Sequence, residues 1–237
     1  MTTVLVTRPR HQQERFINLC HELGVKTVSL PLLKMVERKV SDEHWQPHFN
    51  DANTAWIFTS KNAVLYCPFK ESPVGPLFAM GSSTATALEE AGHTLAAIPD
   101  TPFNSEALVS QLKTVNANSA VVVTGIGGRT YLANELRSMN WAVTEIPCYE
   151  RIPEDLNTDV VQQALNACDV LSLTSIESMD ALIEKTRTLN DEWKSKPLIV
   201  NSTRAVPAAR DAGFTGDIRV AVPAGDEGQI EALRGML

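Results

Sequence analysis

The 237-residue chain lacks most of what would tie it to a membrane, a metal or a nucleic acid. Its apolar stretches stay far below the roughly 18 residues that a membrane-spanning helix needs. Basic residues are outnumbered, 21 Lys and Arg against 28 Asp and Glu, and the net charge of −7 repels nucleic acid phosphates when no basic run offsets it. Only four cysteines occur, Cys20, Cys67, Cys148 and Cys168, and no C-x-x-C pairs them for zinc or redox work. Reduced, packed thiols are expected. Also missing are the Gly-Lys-Ser/Thr of a P-loop and the Gly-x-Ser-x-Gly of a serine hydrolase. His44 and His48 have helical spacing, but Pro47 between them argues for a surface loop, and His11, His21 and His93 have no partner at ligand spacing. Hence no metal and no cofactor are expected. The start, Met1-Thr2-Thr3-Val4-Leu5-Val6, carries no cationic region ahead of a long apolar run, so a cytoplasmic protein is the expectation.

What is present is ordinary globular composition, 43% hydrophobic and 21% charged, on a chain long enough for two small domains or one large one. Short β-branched or apolar runs predict strands at 4–6, 27–30, 56–58, 77–80, 95–98, 121–123, 142–143, 170–173, 198–200 and 218–221. Amphipathic stretches lie between them, such as Phe16, Leu19, Cys20 and Leu23, or Leu132, Leu136 and Met139. Strand and helix alternate, which predicts an α/β protein with parallel sheets. Gly24, Gly92, Asn140 and Gly213 each fall where a left-handed residue would close a helix before the next strand.

The two halves also resemble each other. Val4-Leu5-Val6-Thr7 matches Val121-Val122-Val123-Thr124, and Phe58-Thr59-Ser60 matches Leu173-Thr174-Ser175. Gly81-Ser82-Ser83-Thr84-Ala85 matches Asn201-Ser202-Thr203-Arg204-Ala205 at nearly the same interval. A near-constant interval over separate elements predicts two copies of one five-stranded unit. Leu30-Pro31-Leu32-Leu33-Lys34-Met35-Val36-Glu37-Arg38 and Ile146-Pro147-Cys148-Tyr149-Glu150-Arg151-Ile152-Pro153 read as connectors, extended chain leaving each sheet.

In doubly wound sheets ligands bind beyond the carboxyl ends of the strands. There the sequence places Thr7 and Arg8; Ser60 and Lys61; Ser82, Ser83 and Thr84; Gly127, Gly128 and Arg129; Ser175; and Ser202, Thr203 and Arg204. Free amides, hydroxyls and cations at these loops suit an anionic ligand. Each Ser or Thr equally suits a helix N-cap, and each cation ordinary solvation. Gly125-Ile126-Gly127-Gly128 starts like a dinucleotide loop, but its third glycine would fall at Thr130. Tyr149 places a phenol in the second connector; it can pack, or it can donate a proton to a departing oxygen, being protonated at neutral pH.

Taken in order, Val4-Leu5-Val6-Thr7-Arg8-Pro9, Phe58-Thr59-Ser60-Lys61-Asn62-Ala63-Val64, Met80-Gly81-Ser82-Ser83-Thr84-Ala85, Ser105-Glu106-Ala107-Leu108, Gly128-Arg129 with Leu132 and Leu136, and Cys148-Tyr149 give a chain that resembles the uroporphyrinogen-III synthases over nearly its whole length. It departs from the family pattern at Asn140, where glycine is usual, and at Asp226-Glu227-Gly228, where a serine-bearing loop is more usual. The resemblance implies two flavodoxin-like parallel-sheet domains, internally duplicated and joined by a two-stranded β connector, one formed by residues 1–35 plus 152–237 and the other by 36–151. It implies a lyase of haem biosynthesis that cyclises hydroxymethylbilane with loss of water, inverting ring D through a spiro intermediate. The substrate would lie in the cleft between domains, Tyr149 would assist hydroxide departure, and Thr84 and Thr203 would correspond to threonines lining that cleft. A monomer that receives its substrate by transient handover from hydroxymethylbilane synthase is the implied setting. A noncatalytic two-domain receptor for a carboxylated small molecule would use the same features.

Overall fold

A computed structural model describes residues 1–97, 105–127 and 130–237. Its strands are β1 (Thr3–Val6), β2 (Lys26–Ser29), β3 (Leu33–Glu37), β4 (Thr54–Phe58), β5 (Leu77–Ala79), β6 (Ser119–Gly125), β7 (Ala142–Pro153), β8 (Val170–Leu173), β9 (Leu198–Val200) and β10 (Ile218–Val220). The helices are α1 (Glu14–Glu22), α2 (Gln46–Phe49), α3 (Lys61–Leu65), α4 (Ser82–Glu90), α5 (Ser105–Leu112), α6 (Tyr131–Ser138), α7 (Thr158–Ala167), α8 (Ile176–Lys185), α9 (Ala205–Asp211) and α10 (Asp226–Arg234). The chain divides into a first unit, Met1–Lys34 with Ile152–Leu237, and a second, Met35–Arg151. Met35, expected with the first unit, falls in the second.

In the first unit the order is β10-β9-β8-β1-β2, with every neighbouring pair parallel. A parallel sheet must be covered on both faces, and alternate residues of the same short strands divide between two cores. Leu5, Leu171, Leu173, Leu198 and Val200 pack with Val161, Leu165, Leu182 and Ala209 of α7, α8 and α9. Val4, Val6, Val170 and Ile199 face the other way, onto Phe16 and Cys20 of α1 and Ile230 and Leu233 of α10.

The second unit has the order β3-β7-β6-β4-β5, parallel from β7 through β5. One core joins Trp56, Phe58, Val121, Val123, Ile146 and Tyr149 to Ala63 of α3 and Leu88 of α4. The opposite core joins Ala55, Ile57, Phe78 and Val122 to Leu108 and Leu112 of α5 and Leu132 and Leu136 of α6.

Several local expectations meet the structure directly. Gly24, Gly92 and Gly213 close their helices with φ of 71°, 87° and 90°, and Asn140 does so at 62°, where the short amide side chain tolerates the left-handed region. The four cysteines are free and buried. Three expectations need correction. Among its described residues the run at 95–98 forms no strand: Ala97 makes a single bridge to Phe78, and Ile98 lies outside the described residues. The connector segments are not free of sheet structure: 30–38 does leave the first sheet after β2, but its 33–37 is β3 of the second, and the run after Ala142 continues as β7 to Pro153. Pro147 is accommodated there by a register shift: Thr124 pairs with Pro147 and Gly125 with Tyr149, leaving Cys148 as an extra residue where the ladder has lost a donor. Lastly, Pro47 does not abolish helix around His48. It sits in the first turn of the short α2, where its missing N–H is not needed.

Candidate functional site

Loops at the carboxyl ends of the parallel strands carry the expected polar residues, and the two units use them differently. In the second unit, β4 ends at Phe58 and Ser60 caps α3, its Oγ accepting the Ala63 N–H at 3.1 Å. The same Oγ lies 3.0 Å from the Tyr149 Oη, so two residues separated by most of the unit's sequence meet hydroxyl to hydroxyl. Tyr149 is only 5% exposed. Its ring stacks on Tyr66 at 5.9 Å between centroids, and its carbonyl accepts the Ile126 N–H at 2.9 Å.

Beneath the ring lies Gly125. A Cβ on that residue would come within 2.4 Å of the Tyr149 Cζ, so the ring occupies space that only glycine leaves free. Beside Tyr149, burial pushes the Cys148 thiol up to about 12, which keeps it protonated at neutral pH. Tyr149 and Ser60 thus meet hydroxyl to hydroxyl at this corner, and either oxygen can donate to the other.

A cavity of about 290 Å³ opens at the carboxyl ends of β4 and β6, bounded in part by Thr59, Thr124, Gly125, Ile126, Gly127 and Thr130. Thr59 Oγ1 donates to Thr124 Oγ1 at 3.1 Å across its rim. Gly127 turns there with φ 74° and stays exposed, while Gly128 and Arg129 lie outside the described residues. Lys61 is exposed on the first turn of α3. Ser82 and Ser83 are exposed on the first turn of α4, whereas Thr84 is buried.

The first unit turns the loop residues after β1 inward. Thr7 is fully buried and its Oγ1 donates to the Ser172 carbonyl at 2.6 Å. Arg8, expected to offer charge at a loop tip, has a side chain only 7% exposed and ion-paired with Asp226 at the start of α10. Its guanidinium also lies 4.4 Å from the Phe16 ring centroid and 3.4 Å from Gln229 Oε1. Gln229 ties the ends of two further strands together, accepting from Ser172 Oγ at 2.5 Å and donating to Asn201 Oδ1 at 2.8 Å. The guanidinium charge is thus already balanced inside the protein.

Ser175 is an N-cap, its Oγ accepting from Ser178 N at 3.1 Å in a capping box that starts α8. Ser202 is half-buried, and Thr203 and Arg204 are exposed ahead of α9. Sequence reasoning missed Asp226 and Gln229 as partners of Arg8. The available signal was an acidic residue in the first turn of the last helix, but nothing local pairs it with a residue near the other end of the chain.

A family model described as Uroporphyrinogen-III synthase HemD matches residues 14–226. The uroporphyrinogen-III synthase of Salmonella typhimurium is 25% identical over 248 residues, covering 98% of this chain and 100% of that protein. Among solved structures, uroporphyrinogen-III synthetase from Helicobacter pylori superposes with a TM-score of 0.65 at 19% identity, over 100% of this chain and 99% of that one. A mutant uroporphyrinogen III synthase from Thermus thermophilus gives 0.57 at 17% identity, over 100% and 97%. These two share the mixed α/β fold with its parallel sheets. With the family model spanning both units, the chain belongs to the uroporphyrinogen-III synthase family.

Proposed function

We propose that this chain is a cytoplasmic, monomeric hydro-lyase that converts hydroxymethylbilane to uroporphyrinogen III, receiving its substrate by transient handover from hydroxymethylbilane synthase. The observation that carries the reading is the family match across residues 14–226.

The finer fold reading supports the same assignment. Taken in the order β2-β1-β8-β9-β10, the first sheet has its strands placed second-first-third-fourth-fifth, the flavodoxin order. Counted from β6 as the match of β1, with β8 matching β4, the run β7-β6-β4-β5 and then the bridge at Ala97 gives the second sheet the same order. Two copies of one flavodoxin-like unit account for both.

The chemistry asks little covalent work of the protein. Tyr149 O–H gives its proton to the departing hydroxyl, the C–O bond breaks, water leaves, and the pyrrole nitrogen supplies the electron pair that forms an azafulvene. The substituted carbon of the terminal ring attacks to make the spiro intermediate, which reopens and closes inverted. The proton lost as the final ring regains aromaticity restores the phenol. Unaided closure gives the uninverted ring, so the protein's contribution is to hold one folded geometry, worth several kcal/mol in favourable cases. The eight carboxylates of the substrate would be met by exposed amides and hydroxyls at Ser82, Ser83, Gly127, Ser202 and Thr203, with Lys61 and Arg204 supplying charge. Gly128 and Arg129, outside the described residues, join them as proposed substrate contacts on their sequence position alone. Ser175 remains a contact in addition to capping, and Thr84, Thr7 and Arg8 support the loops from inside.

The test is incubation of the protein with freshly made hydroxymethylbilane and separation of the isomers formed. Excess type III ring is expected. Type I ring alone, with the ligand retained, would replace the enzyme by a receptor. Tyr149→Phe should lower turnover about a hundredfold with the fold intact; an unchanged rate removes Tyr149 from the mechanism.

A further inference from the structure

We infer that Ser60 is a positioning residue for the Tyr149 phenol: its hydroxyl donates to Tyr149 Oη and so leaves the phenol hydrogen pointing away, available to the departing hydroxyl. This rests on the reading of Tyr149 as the acid. The Oγ of Ser60 already accepts the Ala63 N–H at 3.1 Å, which orients one of its lone pairs along the α3 axis and fixes the side-chain rotamer. That hydroxyl keeps its own hydrogen and a second lone pair, and Tyr149 Oη lies 3.0 Å away, so the contact can take either polarity.

The phenol on the other side has little freedom to answer differently. Its ring is flanked by the Gly125 backbone and by the Tyr66 ring, and its backbone is pinned by the bond to Ile126 N–H next to the register shift. In one polarity of the pair, the phenol spends its hydrogen on Ser60 and must break that bond before acting as an acid. In the other, Ser60 spends its hydrogen on the phenol, the phenol oxygen is polarised, and its acidic hydrogen is free. The second polarity also stabilises negative charge growing on that oxygen as the proton leaves, because a donor is already in place. One side chain thus serves two purposes: it starts α3, and through the fixed helix start it sets where the Tyr149 oxygen points.

The two purposes can be separated. Glycine costs an N-cap little, so Ser60→Gly keeps the helix start and removes the hydroxyl, while Ser60→Thr keeps both. With hydroxymethylbilane as substrate, Ser60→Gly is expected to lower kcat about tenfold with KM within about twofold, a share of the general-acid effect. Ser60→Thr should recover most of that loss. In a Tyr149→Phe background, Ser60→Gly should change kcat no further, because the group it positions is gone. A purely structural role predicts the same fractional loss in both backgrounds, and that result overturns the proposal. So does an unchanged kcat for Ser60→Gly while Tyr149→Phe is impaired. If Tyr149→Phe itself turns over normally, the acid reading has failed first, and the proposal fails with it for a distinguishable reason.

Discussion

The first turn of α10 carries two adjacent acids in two ion pairs of very different burial, which makes it a direct test of what a salt bridge contributes. Asp226 meets Arg8 with side chains 16% and 7% exposed, and Glu227 meets Arg15 with side chains 59% and 69% exposed. Both acids sit at the same helix N-terminus and lose a comparable interaction with its dipole when removed, about 0.3–1 kcal/mol. The remainder differs. Asp226→Ala leaves the Arg8 guanidinium buried with a 3.4 Å bond to Gln229, the Phe16 ring and an Nε that has no partner among the described residues. Breaking a buried pair in this way costs about 3–5 kcal/mol. Glu227→Ala releases an exposed arginine to water and should cost under about 1 kcal/mol beyond the dipole. In urea unfolding followed by far-UV circular dichroism, Asp226→Ala is expected to lose at least about 3 kcal/mol, roughly a hundredfold in the folded-to-unfolded ratio and about 6–12 °C in Tm for a chain of this size. Equal losses for the two variants would refute the claim that Arg8 is a buried structural cation, and would return it to the pool of substrate-binding charges.

Three further outcomes follow from the same structure. Gly125→Ala should displace the Tyr149 ring, since its Cβ would fall 2.4 Å from Cζ, and lower kcat more than it raises KM at a stability cost of about 1–3 kcal/mol; unchanged kcat would place the working phenol elsewhere. Thr7→Val removes the buried donor to the Ser172 carbonyl and should cost about 1–2 kcal/mol in the same urea assay, with a neutral result showing that water replaces it. The Cys67 and Cys148 thiols are both raised by burial from 9.0 to about 12, so the thiol form is favoured by folding. Their contribution to stability is complete below the unfolded value and lost as pH climbs through about 9 to 12. Denaturation midpoints should fall over that range, and a disulfide-exchange reagent at pH 8 should label all four cysteines only after unfolding; rapid labelling of the native chain would contradict their burial.

Much of this fold was written locally. Alternating short apolar runs and amphipathic stretches specify parallel strands covered on both faces, because each strand residue in turn must meet a helix. Helix closures at Gly24, Gly92, Asn140 and Gly213 depend on one residue's freedom to adopt positive φ, and that freedom is visible in the amino acid itself. The caps at Ser60 and Ser175 are equally local, as their acceptors reach only three residues along the chain. The same locality misled at Pro147: proline disfavours a strand on its own terms, yet a one-residue register shift let β7 continue past it, whereas Pro31 does lie outside the strands.

What only the tertiary structure decided was who meets whom. The pairing of Ser60 with Tyr149, and of Arg8 with Asp226, joins residues 89 and 218 positions apart, and no periodicity spans such intervals. Sequence could place Arg8 and Ser60 at the carboxyl ends of strands and Tyr149 in a connector. Whether a charge or hydroxyl faces solvent or is spent on a neighbour is settled by the order in which distant strands lie side by side, since hydrogen bonds and buried ion pairs act over a few ångströms of space and take no account of separation along the chain.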